Sequence, residues 1–249
     1  MNLFNQTPDA VVAKRRQLLK TCATATAMTA LGMVGLSMPE LSHGAALTKQ
    51  QRDDMTPDQI IDSLQRGNER FRNNALAPQD YPADVKSSAA GQYPSAIILS
   101  CIDSRAPAEI IFDAGIGELF NSRVAGNVPN VDILGSMEFA CAVAGSKVVV
   151  VMGHTACGAI KGAIDNAKLG NLTELLKKMK PAVDATPYLG DRVSQNAAFV
   201  DAVAKTNVRM SIEQIRQQSS VLADLEQQGK LKIVGAMYNL KDGSVEFLR

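Results

Sequence analysis

This 249-residue chain contains the segment Lys147-Val148-Val149-Val150-Val151-Met152, which is followed by Gly153 and His154. Its four consecutive valines, inside an uninterrupted apolar run, predict a β-strand that is buried on both faces. Two earlier apolar runs, at 95–100 and 119–124, predict further buried strands, and helical patterns at 107–113 and 131–144 separate the three runs. Because strand and helix alternate, the sequence predicts an α/β fold with a mostly parallel central sheet flanked by helices.

Helices are also predicted on either side of this strand pattern. Thr56-Pro57-Asp58-Gln59 is typical of a helix start, because Thr56 can cap the first turn, Pro57 suits its first position and Gln59 completes a capping box. After the valine-rich strand, the apolar spacing indicates three more helical stretches, at 155–167, 172–180 and 194–228.

The chain ends in a predicted β-hairpin. Two strand-like segments, 233–239 and 244–248, flank an Asp242-Gly243 pair, which supplies the positive φ that such a turn needs. No linker or internal repeat divides the chain after its N-terminal segment. The sequence therefore predicts one α/β domain over residues 47–249.

The composition excludes several classes of protein. Hydrophobic residues make up 46% of the chain and charged residues 20%, which is ordinary for a folded enzyme and wrong for a disordered tail. The formal net charge is only +1 and no long basic run occurs, so we expect no nucleic-acid partner. Four cysteines are too few for a disulfide scaffold in a chain of this length, which favours metal or redox chemistry.

Residues 1–46 have the pattern of an export signal. Basic residues, among them Arg15 and Arg16, precede an uncharged stretch at 21–38, and small residues follow from Ser42. The uncharged stretch is short for a membrane span, so no stable membrane anchor is expected after processing. The arginine pair resembles a twin-arginine motif, which predicts export of the folded protein to the periplasm.

Three metal-binding side chains follow the ends of two predicted strands. Cys101 comes directly after the first strand. His154 follows the end of the valine-rich strand at 147–152 and lies three residues before Cys157. Because ligands bind at the carboxyl ends of parallel strands, we expect these side chains to meet. Two thiolates and one imidazole suit Zn²⁺, and three protein ligands leave a fourth position open for catalysis. The alternatives are small buried cysteines beside a hydrogen-bonded histidine, and a redox pair of Cys101 and Cys157.

Asp103 and Arg105 follow the first candidate ligand closely enough to form a bidentate ion pair. Such a pair would keep Asp103 ionised and orient it as an acceptor for a zinc-bound water. Two alternatives stand beside this interpretation: Arg105 only caps a loop, or Asp103 turns onto the zinc and closes the site.

Two further features of the sequence, another cysteine and a Gly-Asn pair, are less clearly linked to a site. Cys141 lies among apolar residues and is predicted to be a buried free thiol. Gly126 and Asn127 follow a predicted strand, where they either direct backbone N–H groups at the site or form only a tight turn.

Together these motifs resemble the β-class carbonic anhydrases. The resemblance covers nearly the whole chain after the export signal, and its segments occur in the family's order. Among them are Arg66-Gly67-Asn68-Glu69-Arg70-Phe71, Ser100-Cys101-Ile102-Asp103-Ser104-Arg105, Arg123-Val124-Ala125-Gly126-Asn127 and Gly153-His154-Thr155-Ala156-Cys157-Gly158-Ala159.

The resemblance implies zinc on Cys101, His154 and Cys157, with Asp103 and Arg105 as the orienting pair. It implies reversible hydration of CO₂ to bicarbonate and a proton, by attack of a zinc-bound hydroxide on CO₂. It also implies a homodimer or homotetramer whose N-terminal helices clasp the neighbouring subunit.

Two other functions stay open at this point. The first is hydrolysis of a sulfur analogue of CO₂, such as carbonyl sulfide, which some proteins of similar fold perform. The second is a non-catalytic zinc- or bicarbonate-binding protein in which Asp103 stays permanently on the metal.

Overall fold

A five-stranded sheet forms the centre of the chain in the computed structural model, which describes residues 46–248. Its strands are β1 (Ala96–Ser100), β2 (Leu119–Arg123), β3 (Val148–His154), β4 (Lys232–Tyr238) and β5 (Val245–Leu248). Their order across the sheet is β2-β1-β3-β4-β5. The first four run parallel and β5 runs antiparallel to β4, so the predicted mostly parallel sheet with a C-terminal hairpin is confirmed.

Helices cover the sheet on both faces and connect its strands. They are α1 (Lys49–Asp54), α2 (Pro57–Arg72), α3 (Tyr81–Ser88), α4 (Ala108–Ile111), α5 (Val131–Glu138), α6 (Gly158–Ile164), α7 (Gly170–Lys177), α8 (Lys180–Ala185), α9 (Ala197–Gln218) and α10 (Ser220–Gln227). A short 3₁₀ turn, Ala125–Asn127, follows β2, and a π-helix, Phe139–Val143, continues α5.

The burial of the strands follows their place in the sheet. Every residue of β1 and β3 is buried, as expected for strands that have neighbours on both sides and helices on both faces. The prediction that 119–124 is buried on both faces was wrong, because β2 lies at the edge of the sheet. There Leu119 is buried, whereas Asn121 and Arg123 are exposed.

The side chains of β3 alternate between two hydrophobic clusters. Val149 and Val151 pack in the cluster that contains Val203 and other residues of α9. Val148 and Val150 belong to the opposite cluster with residues of α2, among them Leu64. A strand that contributes to two cores has no polar face, which explains why its sequence is a continuous run of valines.

The helix start at Thr56 is confirmed in detail. The Thr56 side chain accepts a hydrogen bond from the backbone N–H of Gln59, and the Gln59 side chain bonds back to the Thr56 backbone, with Pro57 at the first helical position. The hairpin prediction is also confirmed, with Gly243 at φ +73° in the connection between β4 and β5.

Several helix boundaries differ from the predicted ones for local reasons. The stretch 194–228 is two helices, because the Ser219 backbone leaves the helical region and its hydroxyl caps the next helix by accepting from Leu222 N–H. The stretch 172–180 is also divided, between α7 and α8. The helix expected from 155 begins only at Gly158, since Ala156 has φ +54°, which no right-handed helix accommodates.

The predicted export signal lies outside the described residues, apart from Ala46. Among the residues that the structure describes, no helix is both long enough and apolar enough to cross a membrane.

Candidate metal centre

The carboxyl ends of β1 and β3 bring the three candidate ligands together. Ser100 pairs in parallel register with Met152, so Cys101, the next residue, lies beside the end of β3, where His154 is the last residue. Cys157 returns to the same place at the start of α6. The ligand atoms of Cys101, His154 and Cys157 all lie within 4.8 Å of one another, and all three residues are buried.

The two nitrogens of the His154 ring have different surroundings. Its Nδ1 lies 2.9 Å from the carbonyl oxygen of Thr155, which can only accept a hydrogen bond, so Nδ1 carries a proton and Nε2 is the nitrogen that can bind a metal when the ring is neutral. Its Nε2 is buried and has no hydrogen-bond partner among the described residues. Since an unsatisfied buried polar atom costs about 1–3 kcal/mol, a cation bound at Nε2 explains the arrangement.

Backbone N–H groups face both sulfur atoms. Gly126 N–H donates to Sγ of Cys101 at an N···S distance of 3.4 Å, which matches the first of the two interpretations of this turn. The backbone N–H groups of Ala159 and Ile160, at the start of α6, face the Cys157 sulfur and act on its pKa in the lowering direction, against the larger raising effects of Cys101 and burial. These donors stabilise negative charge on sulfur, which is the form that binds a metal.

Two thiols this close do not ionise alike. The hydrogen bond with Cys157 is the largest effect on Cys101, and it lowers the pKa of Cys101 to about 4 although burial opposes it. The same hydrogen bond, burial and the charge on Cys101 raise the pKa of Cys157 above its ordinary range. Burial lowers the pKa of His154, but the nearby Cys101 sulfur with its charge, the Thr155 carbonyl and the Asp103 carboxylate together outweigh burial, so the net direction is upward.

These residues fit a Zn²⁺ ion. A divalent cation of borderline softness binds cysteine sulfur as thiolate, and its positive charge would balance the negative charge of two such sulfurs this close together. Two thiolates and a neutral imidazole make up one of the ligand sets that catalytic zinc uses.

Asp103 lies beside this ligand group and is held by Arg105. The Arg105 Nε donates to Oδ1 at 2.9 Å and Nη2 donates to Oδ2 at 2.8 Å, and the Arg105 backbone N–H adds a third bond to Oδ1 at 3.0 Å. These bonds hold the pKa of Asp103 well below its usual range. The Asp103 Oδ2 lies 3.8 Å from Nε2 of His154, so an ionised carboxylate rests on Arg105 while it faces the ligands.

Reasoning from the sequence missed Arg123, which secures the loop that carries Cys101 and Asp103. Its Nε donates to the carbonyl oxygen of Cys101 at 2.9 Å, and its Nη2 donates to that of Asp103 at 2.5 Å. Arg123 ends β2 directly opposite Ser100 in the parallel register. A basic residue at the carboxyl end of a neighbouring strand was the available signal.

Cys141 lies apart from this centre. It is a buried free cysteine in the π-helix, and burial raises its pKa to about 12, so it is a small apolar side chain as predicted.

Comparisons with known proteins agree with this geometry. Residues 96–245 match a family model described as carbonic anhydrase. The chain is 35% identical to carbonic anhydrase 2 of Mycobacterium tuberculosis over 187 residues, which cover 73% of this chain and 87% of that protein. It is 33% identical to a carbonic anhydrase of Mycolicibacterium smegmatis over 190 residues, which cover 74% of this chain and 89% of that protein.

Solved structures show the same fold at lower sequence identity. The β-carbonic anhydrase CafA of Aspergillus fumigatus superposes with a TM-score of 0.59 at 24% identity, over 77% of this chain and 89% of that one. A β-carbonic anhydrase from Sordaria macrospora, described as tetrameric, superposes with a TM-score of 0.60 at 22% identity, over 77% of this chain and 94% of that one.

The family model covers strands β1 to β4, the first residue of β5 and all three candidate ligands, and the curated relatives match over most of their own length. The fold superposes on solved β-carbonic anhydrase structures. From the match, the fold and the ligand group together, we conclude that this chain belongs to the β-class carbonic anhydrases.

Proposed function

We propose that this chain catalyses the reversible hydration of CO₂ to bicarbonate and a proton, with Zn²⁺ held by Cys101, His154 and Cys157. The observation that carries this proposal is the meeting of three buried ligand atoms within 4.8 Å of one another, beside an ionised carboxylate. Family membership supplies the reaction, and this geometry supplies the groups that the reaction needs.

A zinc ion in this centre supplies Lewis-acid activation of a water molecule close to neutral pH. The side chains of the protein orient the reacting water. Asp103 stays ionised because Arg105 engages both of its oxygens, so it accepts the hydrogen bond of a reacting water in a constant orientation. Arg123 holds the two carbonyls of that loop and so keeps Asp103 at a constant distance from His154.

The proton released by the reaction has to leave without a second histidine. His154 is a proposed ligand and is the sole histidine among residues 46–248. We therefore assign the transfer to solvent water, buffer or a carboxylate. This assignment predicts that the rate at saturating CO₂ rises with buffer concentration.

The ligand assignment is tested by a Cys157→Ala variant with Cys141→Ala as its matched control. Both changes remove a buried free cysteine, but only Cys157 belongs to the ligand group. We expect the Cys157 variant to lose bound zinc and CO₂ hydration, measured by elemental analysis and stopped-flow on one sample, and the Cys141 variant to keep both. Full activity of Cys157→Ala would refute the assignment.

The same assay separates CO₂ hydration from the two other functions. Faster turnover of carbonyl sulfide than of CO₂ by the purified protein would replace the proposed substrate. A full complement of zinc without turnover, even at alkaline pH, would indicate the non-catalytic binding protein. We expect CO₂ to be the better substrate because the chain belongs to the carbonic anhydrase family. We also expect turnover, because Arg105 engages both oxygens of Asp103 and so keeps this carboxylate from acting as a further ligand of a bound zinc ion.

We further propose that residues 1–46 direct export of the folded protein to the periplasm by the twin-arginine route. The basic residues, the uncharged stretch and the small residues that follow it support this proposal. An Arg15→Lys, Arg16→Lys double variant should accumulate in the cytoplasm, as measured by cell fractionation and immunoblotting. Normal export of that variant would contradict the proposed route.

We also propose that the chain assembles as a homodimer or homotetramer. The Sordaria macrospora relative is described as tetrameric. In this chain, Val131 and Phe139 are 79% and 51% exposed beside the edge strand β2, and Val143 is 72% exposed on the same helical segment. Light scattering should give a dimer or tetramer mass for the parent and a smaller mass for Val131→Asp. A monomeric parent would refute assembly.

A further inference from the structure

The connection between two of the zinc ligands contains a backbone conformation that its sequence does not favour. Ala156 lies between His154 and Cys157 and has φ +54°, in the left-handed region. For a residue with a Cβ this region is disfavoured by contact with the following carbonyl oxygen. The chain nevertheless places an alanine, and not a glycine, at this position.

Rotation at Ala156 would change the geometry of the ligand group. If Ala156 returned to an extended or right-handed conformation, the peptide that follows it would turn, and Cys157 would move relative to His154. Thr155 is already tied to the end of the sheet, since its N–H donates to the Tyr238 carbonyl and its Oγ1 accepts from Leu240 N–H. Of the residues between His154 and Cys157, Ala156 is therefore the one whose backbone dihedral angles are left to set the position of Cys157.

A carboxylate from a distant helix holds that residue. The backbone N–H of Ala156 donates to Oδ1 of Asp201 at 2.8 Å, and Asp201 lies in the second turn of α9. Hydrogen bonds to a charged acceptor are about twice as strong as neutral ones. The bond forms only when the Ala156 N–H points at α9, so it selects one conformation of the peptide.

The helix that carries Asp201 is itself firmly placed. Its buried residues, among them Val200 and Val203, pack in the same cluster as Val149 and Val151 of β3. It also lies against β3 at Gly153, where an added Cβ would lie 2.8 Å from Val208. The carboxylate is therefore fixed relative to the strand that ends at His154.

We propose that Asp201 is a positioning residue for the zinc centre, which holds Ala156 in its left-handed conformation and thereby sets Cys157 against His154. It acts through the backbone and does not contact the metal. The proposal rests on the zinc site of the proposed function. This contact could not be predicted from the sequence, because 45 residues separate the two partners.

The experiment measures zinc affinity directly, by competition of the apoprotein with a chromophoric chelator. Loss of a residue that orients metal ligands typically weakens metal affinity by 10–100-fold, so we expect Asp201→Ala to bind zinc at least about 10-fold more weakly than the parent. Asp201→Asn keeps an acceptor oxygen without the charge and should lie between the two. Glu213→Ala, which removes an exposed carboxylate from the same helix, should bind zinc like the parent.

A second change distinguishes positioning from general stability. Glycine adopts positive φ at little cost, so Ala156→Gly should reduce the effect of Asp201→Ala on zinc affinity. A purely structural role would lower the urea midpoint of the apoprotein and leave zinc affinity unchanged. Zinc affinity of Asp201→Ala within twofold of the parent, or an equal loss in the Ala156→Gly background, would overturn the proposal.

Two further outcomes are also decisive. If Asp201→Ala does not fold, Asp201→Asn replaces it: weaker zinc binding supports the proposal, and parent-like binding overturns it. If the parent itself binds no zinc, the ligand assignment fails, and that result is distinct from a parent that binds zinc regardless of Asp201.

Discussion

The Gly126→Ala variant tests how tightly the metal centre is packed into the core. Gly126 has φ +73°, where an alanine is disfavoured by about 1–2 kcal/mol. An added Cβ would lie 2.2 Å from Sδ of Met179 and 2.9 Å from its Cε, and Met179 is completely buried. Overpacking of this kind costs about 1–3 kcal/mol, so we expect a total loss of about 2–5 kcal/mol of unfolding free energy.

The same substitution should weaken the metal centre, because the Gly126 N–H donates to the Cys101 sulfur. Urea unfolding followed by circular dichroism, at fixed protein and zinc concentrations, measures the stability loss. Met179→Ala and the double variant complete the comparison: removing the Met179 side chain relieves the clash but not the backbone strain. The double variant should therefore lose less than the two single losses added together.

The reasoning is refuted by either of two results. One is a Gly126→Ala protein whose unfolding free energy lies within about 0.5 kcal/mol of the parent, which is the range of an ordinary surface substitution. The other is strict additivity in the double variant, because additivity would mean that the methyl group at 126 and the Met179 side chain do not compete for space.

Three other predictions concern single side chains. Arg105→Gln should keep its zinc but lose about 100-fold or more in CO₂ hydration, because Asp103 then loses the bidentate partner that orients it; a parent-like stopped-flow rate would contradict this. Burial, with smaller contributions from nearby carboxylates, raises the pKa of Glu118 to about 7. Its stabilising contribution is therefore full below about pH 4.5 and is lost as the pH rises through about 7, roughly 3 kcal/mol in all. Urea midpoints should fall over this range more steeply for the parent than for Glu118→Gln, and equal slopes would contradict the shift. Gly67→Ala should lose about 3 kcal/mol or more of unfolding free energy, because the new Cβ would lie 1.9 Å from the backbone oxygen of Phe112; parent-like thermal unfolding would contradict that packing.

The strand pattern was predictable because burial and sequence are directly linked in a parallel sheet. Val148 to Val151 are buried on alternate faces and are all apolar, so the run itself predicts a central strand. The partial exposure of β2 was not predictable in the same way, because the sequence of a strand does not show whether other strands pair with it on one side or on both. Only the strand order shows that β2 lies at the edge.

The meeting of the candidate metal ligands was predictable from the sequence, whereas the roles of two residues that hold their backbone were not. Cys101 and His154 lie at strand ends, and the carboxyl ends of parallel strands share one edge of the sheet. Arg123 and Asp201 act on backbone atoms of this centre from other elements. Arg123 had only a general signal in the sequence, a basic residue at the end of a neighbouring strand, and Asp201 had none, so three-dimensional structure was needed to reveal both contacts.

The edge position of β2 has a consequence for the behaviour of the protein at low concentration. In the described part of the chain, strand β2 (Leu119–Arg123) forms backbone hydrogen bonds with β1 on one side only. On its outer side, the backbone N–H and C=O groups of the isolated chain can pair with any extended segment. If the proposed assembly covers this edge, a protomer separated from its copies would expose a surface prone to aggregation. Variants that block the proposed assembly would then precipitate more readily even where their catalytic groups are intact.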